Sequence, residues 1–157
     1  MDKAGKTVAL AVLLAFVGCG CVGQPNYTEA ALGYMEQKYG QEFVYSGPWG
    51  TSYASPATKM LLVTPDSGDV EVQILVEATE TEDGFQFRDN YLALLYEDEM
   101  RQTLEQAAEE AFGAATVFYE AATVALSADL PADVSFAQYS QAEGSGIIAT
   151  VAVPAGQ

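Results

Sequence analysis

The sequence predicts an α+β protein: a mainly antiparallel sheet with a long helix packed on one face, preceded by an N-terminal signal and anchor segment. Three observations carry this expectation. Residues 59–64 (KMLLVT) and 70–78 (VEVQILVEA) read as two strands joined by the turn sequence Pro65-Asp66-Ser67-Gly68-Asp69, in which Pro fixes φ and Gly permits positive φ. Residues 91–112 repeat their apolar positions at helical spacing. The extreme N-terminus has a basic start, a short apolar run and then small residues, which is the layout of an export signal.

The N-terminal segment comes first in the argument. Lys3 and Lys6 form the basic start, and residues 7–17 (TVALAVLLAFV) form the apolar run. That run is shorter than the ~20 residues a permanent spanning helix needs. It is followed by Phe16-Val17-Gly18-Cys19, which resembles the lipobox of bacterial lipoproteins: an apolar residue, a tolerant position, a small residue and the cysteine that is lipidated. Phe16 stands where the family usually has Leu. Cys21 is the rival site, but Gly18 would then hold the apolar position, so Cys19 is preferred. A signal peptide cut elsewhere and a short membrane anchor are the competing readings.

The resemblance implies three segments. Residues 1–18 are the signal peptide, 19–27 the lipidated cysteine with its tether, and 28–157 a single α+β domain. It also implies a location, the outer face of a bacterial cytoplasmic membrane. Two or three acyl chains such as palmitate would hold Cys19 there, each buried methylene adding about 0.8 kcal/mol. Residues 20–26 (GCVGQPN), with two Gly and a Pro, suit a short tether.

Composition then bounds what the body does. With 157 residues, half of them hydrophobic, the chain can build a sizeable core. Both cysteines lie in the first 21 residues, so no disulfide staples distant parts of the body. Six basic residues face 22 acidic ones, a formal net charge of −16. Phosphate backbones and anionic lipid surfaces repel such a chain, which argues against a nucleic-acid partner. The same charge also serves solubility. The sequence has no histidine, which removes Ser-His-Asp triads, Cys-His dyads and His-ligated zinc. No phosphate-cradling glycine loop occurs, and no cofactor is expected.

Along the body, Thr28 is the expected N-cap of a helix running to Tyr39 and stopped by Gly40, with Leu32, Met35 and Tyr39 on one face. Residues 42–46 (EFVYS) read as a strand closed by Gly47-Pro48, and 47–57 as a loop carrying Trp49 and Tyr53. In residues 70–78, Val70, Val72, Ile74 and Val76 share a face opposite Glu71, Gln73 and Glu77, so one face is dry and one wet. Phe85 and Phe87 start a third strand. Asp89 or Asn90 caps the long helix, Gly113 ends it, and Glu97 pairs with Arg101. Residues 116–119 (TVFY) and 147–153 (IIATVAV) read as late strands. Residues 121–126 either extend the first of these or pair with it, and Ser135 with Gln138 forms a capping box.

Residues 34–43 (YMEQKYGQEF) and 89–92 (DNYL) resemble uncharacterised lipoproteins of Gram-positive gut-type bacteria, over residues 1–112. The resemblance implies an anchored extracytoplasmic protein and assigns no catalytic residue.

Candidate sites are few. Asp66, Asp69 and Glu71 gather oxygen ligands near one turn, and Glu80, Glu82 and Asp83 near another. Calcium favours such ligands, but neither stretch has the EF-hand pattern, and a solvated turn accounts for both. Glu97, Asp98 and Glu99 point different ways around a helix and cannot converge. Gly144-Ser145-Gly146 lacks the frame of a nucleophile elbow. Trp49, Tyr53 and Tyr45 surround the loop and form a candidate surface for a protein or glycan partner, against the plainer account in which Trp49 folds back to cap the core. The sequence therefore leads to a non-catalytic binding or interaction module. A carboxylate-dependent hydrolase of cell-envelope polymers needs two acids facing across a cleft. An accessory subunit or regulator of a membrane complex needs an exposed apolar patch, for which the outer side of residues 147–153 is the candidate.

Overall fold

The computed structural model describes residues 26–51, 55–66, 72–121, 130–142 and 147–154. The signal segment, Cys19 and Cys21 lie outside them, as do Tyr53, Asp69, Glu71, residues 122–129 and the Gly144–Gly146 stretch.

The architecture is α+β. Helix α1 (Tyr27–Tyr39) precedes four strands, β1 (Phe43–Thr51), β2 (Thr58–Pro65), β3 (Ile74–Thr81) and β4 (Gly84–Asp89). They form one antiparallel sheet in the order β1-β2-β3-β4. Two helices follow, α2 (Tyr91–Leu95) and α3 (Glu97–Phe112). Strand β5 (Thr116–Tyr119), the short α4 (Phe136–Tyr139) and β6 (Ala149–Ala152) complete the described chain, β5 and β6 pairing as an antiparallel ribbon.

Helix α1 forms because its Ala, Glu, Leu, Met and Gln residues favour the state and because both ends are closed. Asn26, not Thr28, is the N-cap: its side-chain oxygen accepts the Thr28 N–H, and Thr28 sits inside the first turn. Gly40 closes the other end in the left-handed region (φ 68°), donating its N–H to the Glu36 carbonyl at 2.8 Å.

Register explains which sheet face α1 covers. Leu61 lies opposite Val76 and Val63 opposite Ile74, while Val76 in turn faces Asp89 and Ala78 faces Phe87. All therefore point to one face, where they are buried with Ala31 and Met35 of α1. Val72 packs against this cluster, so the alternation expected for residues 72–78 holds. Leu75 is the exception: it points to the other face and is buried too. Its backbone pairs with Asn90, N–H to Asn90 Oδ1 at 2.8 Å and carbonyl to Asn90 N–H at 3.2 Å, so the ladder runs one residue past β4.

Two expectations change. The strand does not stop at Gly47-Pro48. It runs to Thr51 with register shifts at Tyr45/Gly47 and Pro48/Gly50, so two bulges absorb the turn-forming residues. Pro48 is tolerated because β1 lies at the end of the strand order and needs no outward N–H bond. The long helix is also divided at Tyr96, which has φ −103° and ψ 13°. Tyr96 donates its hydroxyl to the Val134 carbonyl, and its ring packs 5.6 Å from Phe136 and 5.4 Å from Tyr139. Helix α1 is the one laid across all four strands, whereas α3 packs against β5.

A second core follows from that second layer. Leu92, Ala93, Met100, Tyr119, Ala121, Val134 and Tyr139 are buried together. Ser135 and Gln138 form the expected capping box beneath them. The Tyr139 hydroxyl is buried and has no hydrogen-bond partner among the described residues. Burial pushes its pKa up to about 12, and that of Tyr119 upward as well. A raised phenol holds its proton in the folded state after the unfolded chain has lost its own, so stability falls as pH rises from 10 towards 12. Tyr139→Phe is therefore expected to leave stability at pH 7 unchanged or raised by up to about 1 kcal/mol. It is also expected to flatten the alkaline decline, as read by denaturant melts between pH 7 and 12.

Candidate functional site

Three places on the described molecule concentrate chemistry, and the sequence had pointed to two of them.

The first is the surface of β1. Trp49 is 53% exposed and Tyr45 42% exposed, and Val44 is exposed on the opposite face from Tyr45. Trp49 does not cap the core. Trp49 sits in the register shift between Pro48 and Gly50, and Tyr45 stands just before the shift at Gly47, both rings exposed to water. Tyr53, the third residue of this group, lies outside the described residues. Because Trp49 is the sole tryptophan, its fluorescence reports the site directly. Neutral acrylamide is expected to quench it efficiently in the native protein, and Trp49→Ala should change stability by no more than about 0.5 kcal/mol. A strongly shielded indole would contradict the placement.

The second was read from the sequence only as a helix cap. Asp89, at the end of β4, is fully buried, and each of its carboxylate oxygens accepts two hydrogen bonds. Oδ2 takes the Tyr34 hydroxyl at 2.7 Å and the Lys38 ammonium at 2.6 Å. Oδ1 takes the Tyr39 hydroxyl at 2.6 Å and the Tyr91 backbone N–H at 2.9 Å. Asp89 thus caps α2 while Asn90 is spent on Leu75. The Lys38 side chain is 11% exposed, and its ammonium lies over the rings of Tyr34 (5.4 Å) and Tyr39 (5.2 Å). Burial, then the Asp89 charge, raises the Tyr39 hydroxyl far above the ordinary phenol range.

Aromatic rings close this network. Tyr34 stacks on Phe87 at 5.1 Å, and Tyr91 meets Tyr39 and Phe43 edge-on at 4.8 and 5.8 Å. Tyr34 and Lys38 also line an open cleft of about 580 Å³, with Gln37 beside them and Pro131, Ala132 and Asp133 opposite. Among the described residues Asp133 is the one carboxylate on its wall, and Lys38 is held by Asp89. The arrangement is a clamp between α1 and the β4–α2 junction, and among the described residues no pair of acids faces across this cleft.

The third place is the β5–β6 ribbon. Tyr119 opposite Ala149 and Val117 opposite Val151 face the second core. Phe118 opposite Thr150 and Thr116 opposite Ala152 face outward. Ile148 precedes Thr150 by two residues and shares that outer side. Phe118 is 61% and Ile148 72% exposed. A second cleft of about 390 Å³, lined by Ala114, Ala115, Thr116, Ala152, Val153 and Pro154, opens at the end of this face and carries no ionisable side chain among the described residues.

Other sequence candidates fare as follows. Asp66 is described and donates its N–H to the Glu42 carbonyl at 3.0 Å, while Asp69 and Glu71 lie outside the described residues. Among the described residues, no three His, Cys, Asp or Glu side chains gather where they could hold a metal ion. Glu97 pairs with Arg101 at 2.6 Å, as their spacing suggests. Among the described residues, no helix is long and apolar enough to cross a membrane.

Comparison of the chain with protein-family models, with curated proteins and with solved structures gave no significant match.

Proposed function

We propose that the protein is a non-catalytic interaction module, tethered at the outer face of the cytoplasmic membrane through lipid on Cys19, which docks a protein partner on the outer face of the β5–β6 ribbon. One observation carries the docking surface. Of ten large hydrophobic residues exposed among those described, six lie on the ribbon or in the segments flanking it, Phe112, Phe118, Ile147, Ile148, Val151 and Val153, and the two most exposed of the ten, Phe118 and Ile148, are on its outer side. Exposed apolar residues scattered singly need no explanation, but their concentration in one part of the chain supports a contact surface there. A two-stranded ribbon is also weak in isolation and gains from cover. The reading makes this chain an accessory subunit or regulator of an envelope complex. The Trp49–Tyr45 surface supports a second contact, with peptide or glycan, because water-facing aromatics supply large contact area at low entropic cost.

A photo-crosslinking residue placed at position 118, in cells that carry the protein, tests the docking surface. A discrete adduct is expected in the envelope fraction, lost on Ile148→Ser and absent when the crosslinker replaces exposed Gln86 of β4. The same adduct pattern at both positions, or none at 118, would overturn the proposal.

A further inference from the structure

We infer that the partner segment received by the β5–β6 face is cationic and inserts an apolar side chain into the cleft between Ala114–Thr116 and Ala152–Pro154; this rests on the docking reading above. The charge distribution supplies the first half. After Arg101 the sequence contains seven acidic residues and not one Lys or Arg. Arg101 itself is engaged by Glu97 at 2.6 Å and Asp98 at 3.8 Å. The chain from residue 102 onward, the ribbon included, therefore carries acidic charge alone.

Local placement concentrates that charge at the apolar face. Glu120 follows β5 at the position that continues the Phe118 side. Glu109 and Glu110 are exposed in the last turn of α3, beside Phe112, and no basic residue is in that turn. The C-terminal end of a helix dipole is negative, so acids there add to the field instead of being offset by it.

The apolar half comes from the ribbon. Thr116 and Ala152 form a cross-strand pair on the same side as Phe118, so the cleft of about 390 Å³ is continuous with the exposed face. This volume is at the small end of ligand pockets and suits an anchor side chain better than a cofactor. Its lining is small and uncharged. The occupant must therefore combine cationic groups for the rim with an aliphatic or aromatic side chain for the cleft.

The same charge argues against two other occupants. A second copy of the chain would bring another net charge of −16 against this one, and an anionic lipid surface would be repelled likewise. A cationic partner instead gains a faster encounter, which salt would slow.

The test uses the protein extracted from the membrane fraction and reconstituted in neutral-lipid nanodiscs, with two labelled peptides of equal length and charge, one alternating Lys with Leu and one alternating Lys with Ser. Fluorescence anisotropy reads binding against empty nanodiscs. The Lys/Leu peptide is expected to bind at least about tenfold more tightly than Lys/Ser. Phe118→Ser with Ile148→Ser should remove that difference, as should Ile148→Ser alone in large part. Replacing Glu109, Glu110 and Glu120 by Gln should weaken both peptides. Equal binding of the two peptides, or a Lys/Leu preference that survives loss of Phe118 and Ile148, would overturn the inference. An adduct at position 118 without any peptide preference sinks this inference alone, whereas the absence of the adduct sinks the docking reading beneath it.

Discussion

Asp89→Ala is expected to destabilise the protein by about 3–5 kcal/mol, because it leaves the half-buried Lys38 ammonium without its counter-charge and removes the acceptor at the centre of a buried network. The same change deprives the Tyr34 and Tyr39 hydroxyls and the Tyr91 N–H of their acceptor. Such a loss is a large part of the whole stability of a domain this size. Asp89→Asn separates charge from shape: it keeps an acceptor oxygen but leaves the ammonium unpaired, and should still lose most of that stability. Lys38→Met is expected to cost less. The carboxylate would keep three of its four donors, and Lys38 lies close enough to the surface for a thioether to pack in its place. Denaturant melts of the three variants check the order, and a loss below about 1 kcal/mol for Asp89→Ala would contradict the clamp.

Leu61 and Leu62 offer the second large effect, because adjacent strand residues face opposite ways. Leu61 is fully buried between β2 and α1, and Leu62 is half-buried on the other face. Leu61→Ala should cost about 3 kcal/mol or more through lost burial and an unfilled cavity. Leu62→Ala should cost about 1 kcal/mol, in line with its smaller buried area. Equal losses would mean that α1 does not cover the face assigned to it.

Local chemistry made much of the fold legible from the sequence. The alternation around residues 72–78, the left-handed cap at Gly40 and the Ser135–Gln138 box depend on residues close in the chain, and pattern reading finds them. Long-range effects escaped it. Gly47 and Pro48 look like a strand terminator, yet an edge strand tolerates both through bulges. Nothing near Tyr96 signals a break, since no Gly or Pro stands there. The contacts of Tyr96 reach Val134, Phe136 and Tyr139, about 40 residues on.

The site follows the same division. Trp49 and Tyr45 could be picked out by residue type, and residues 147–153 by their apolar run. The Asp89 clamp could not, because Lys38 and Asp89 are 51 residues apart. Only Tyr34 and Lys38, at i and i+4, share a helix face by spacing alone. Asp69, Glu71, Tyr53 and both cysteines belong to segments for which sequence chemistry is the sole guide.

Tethering is the claim on which location and partner both rest, and intact mass spectrometry of protein extracted from the membrane fraction tests it most directly. The account predicts a mass equal to residues 19–157 plus two or three acyl chains, lost from Cys19→Ala together with membrane association. A full-length unmodified mass, or a differently cut one indifferent to Cys19→Ala, would contradict the lipid anchor and remove the interaction module from the envelope.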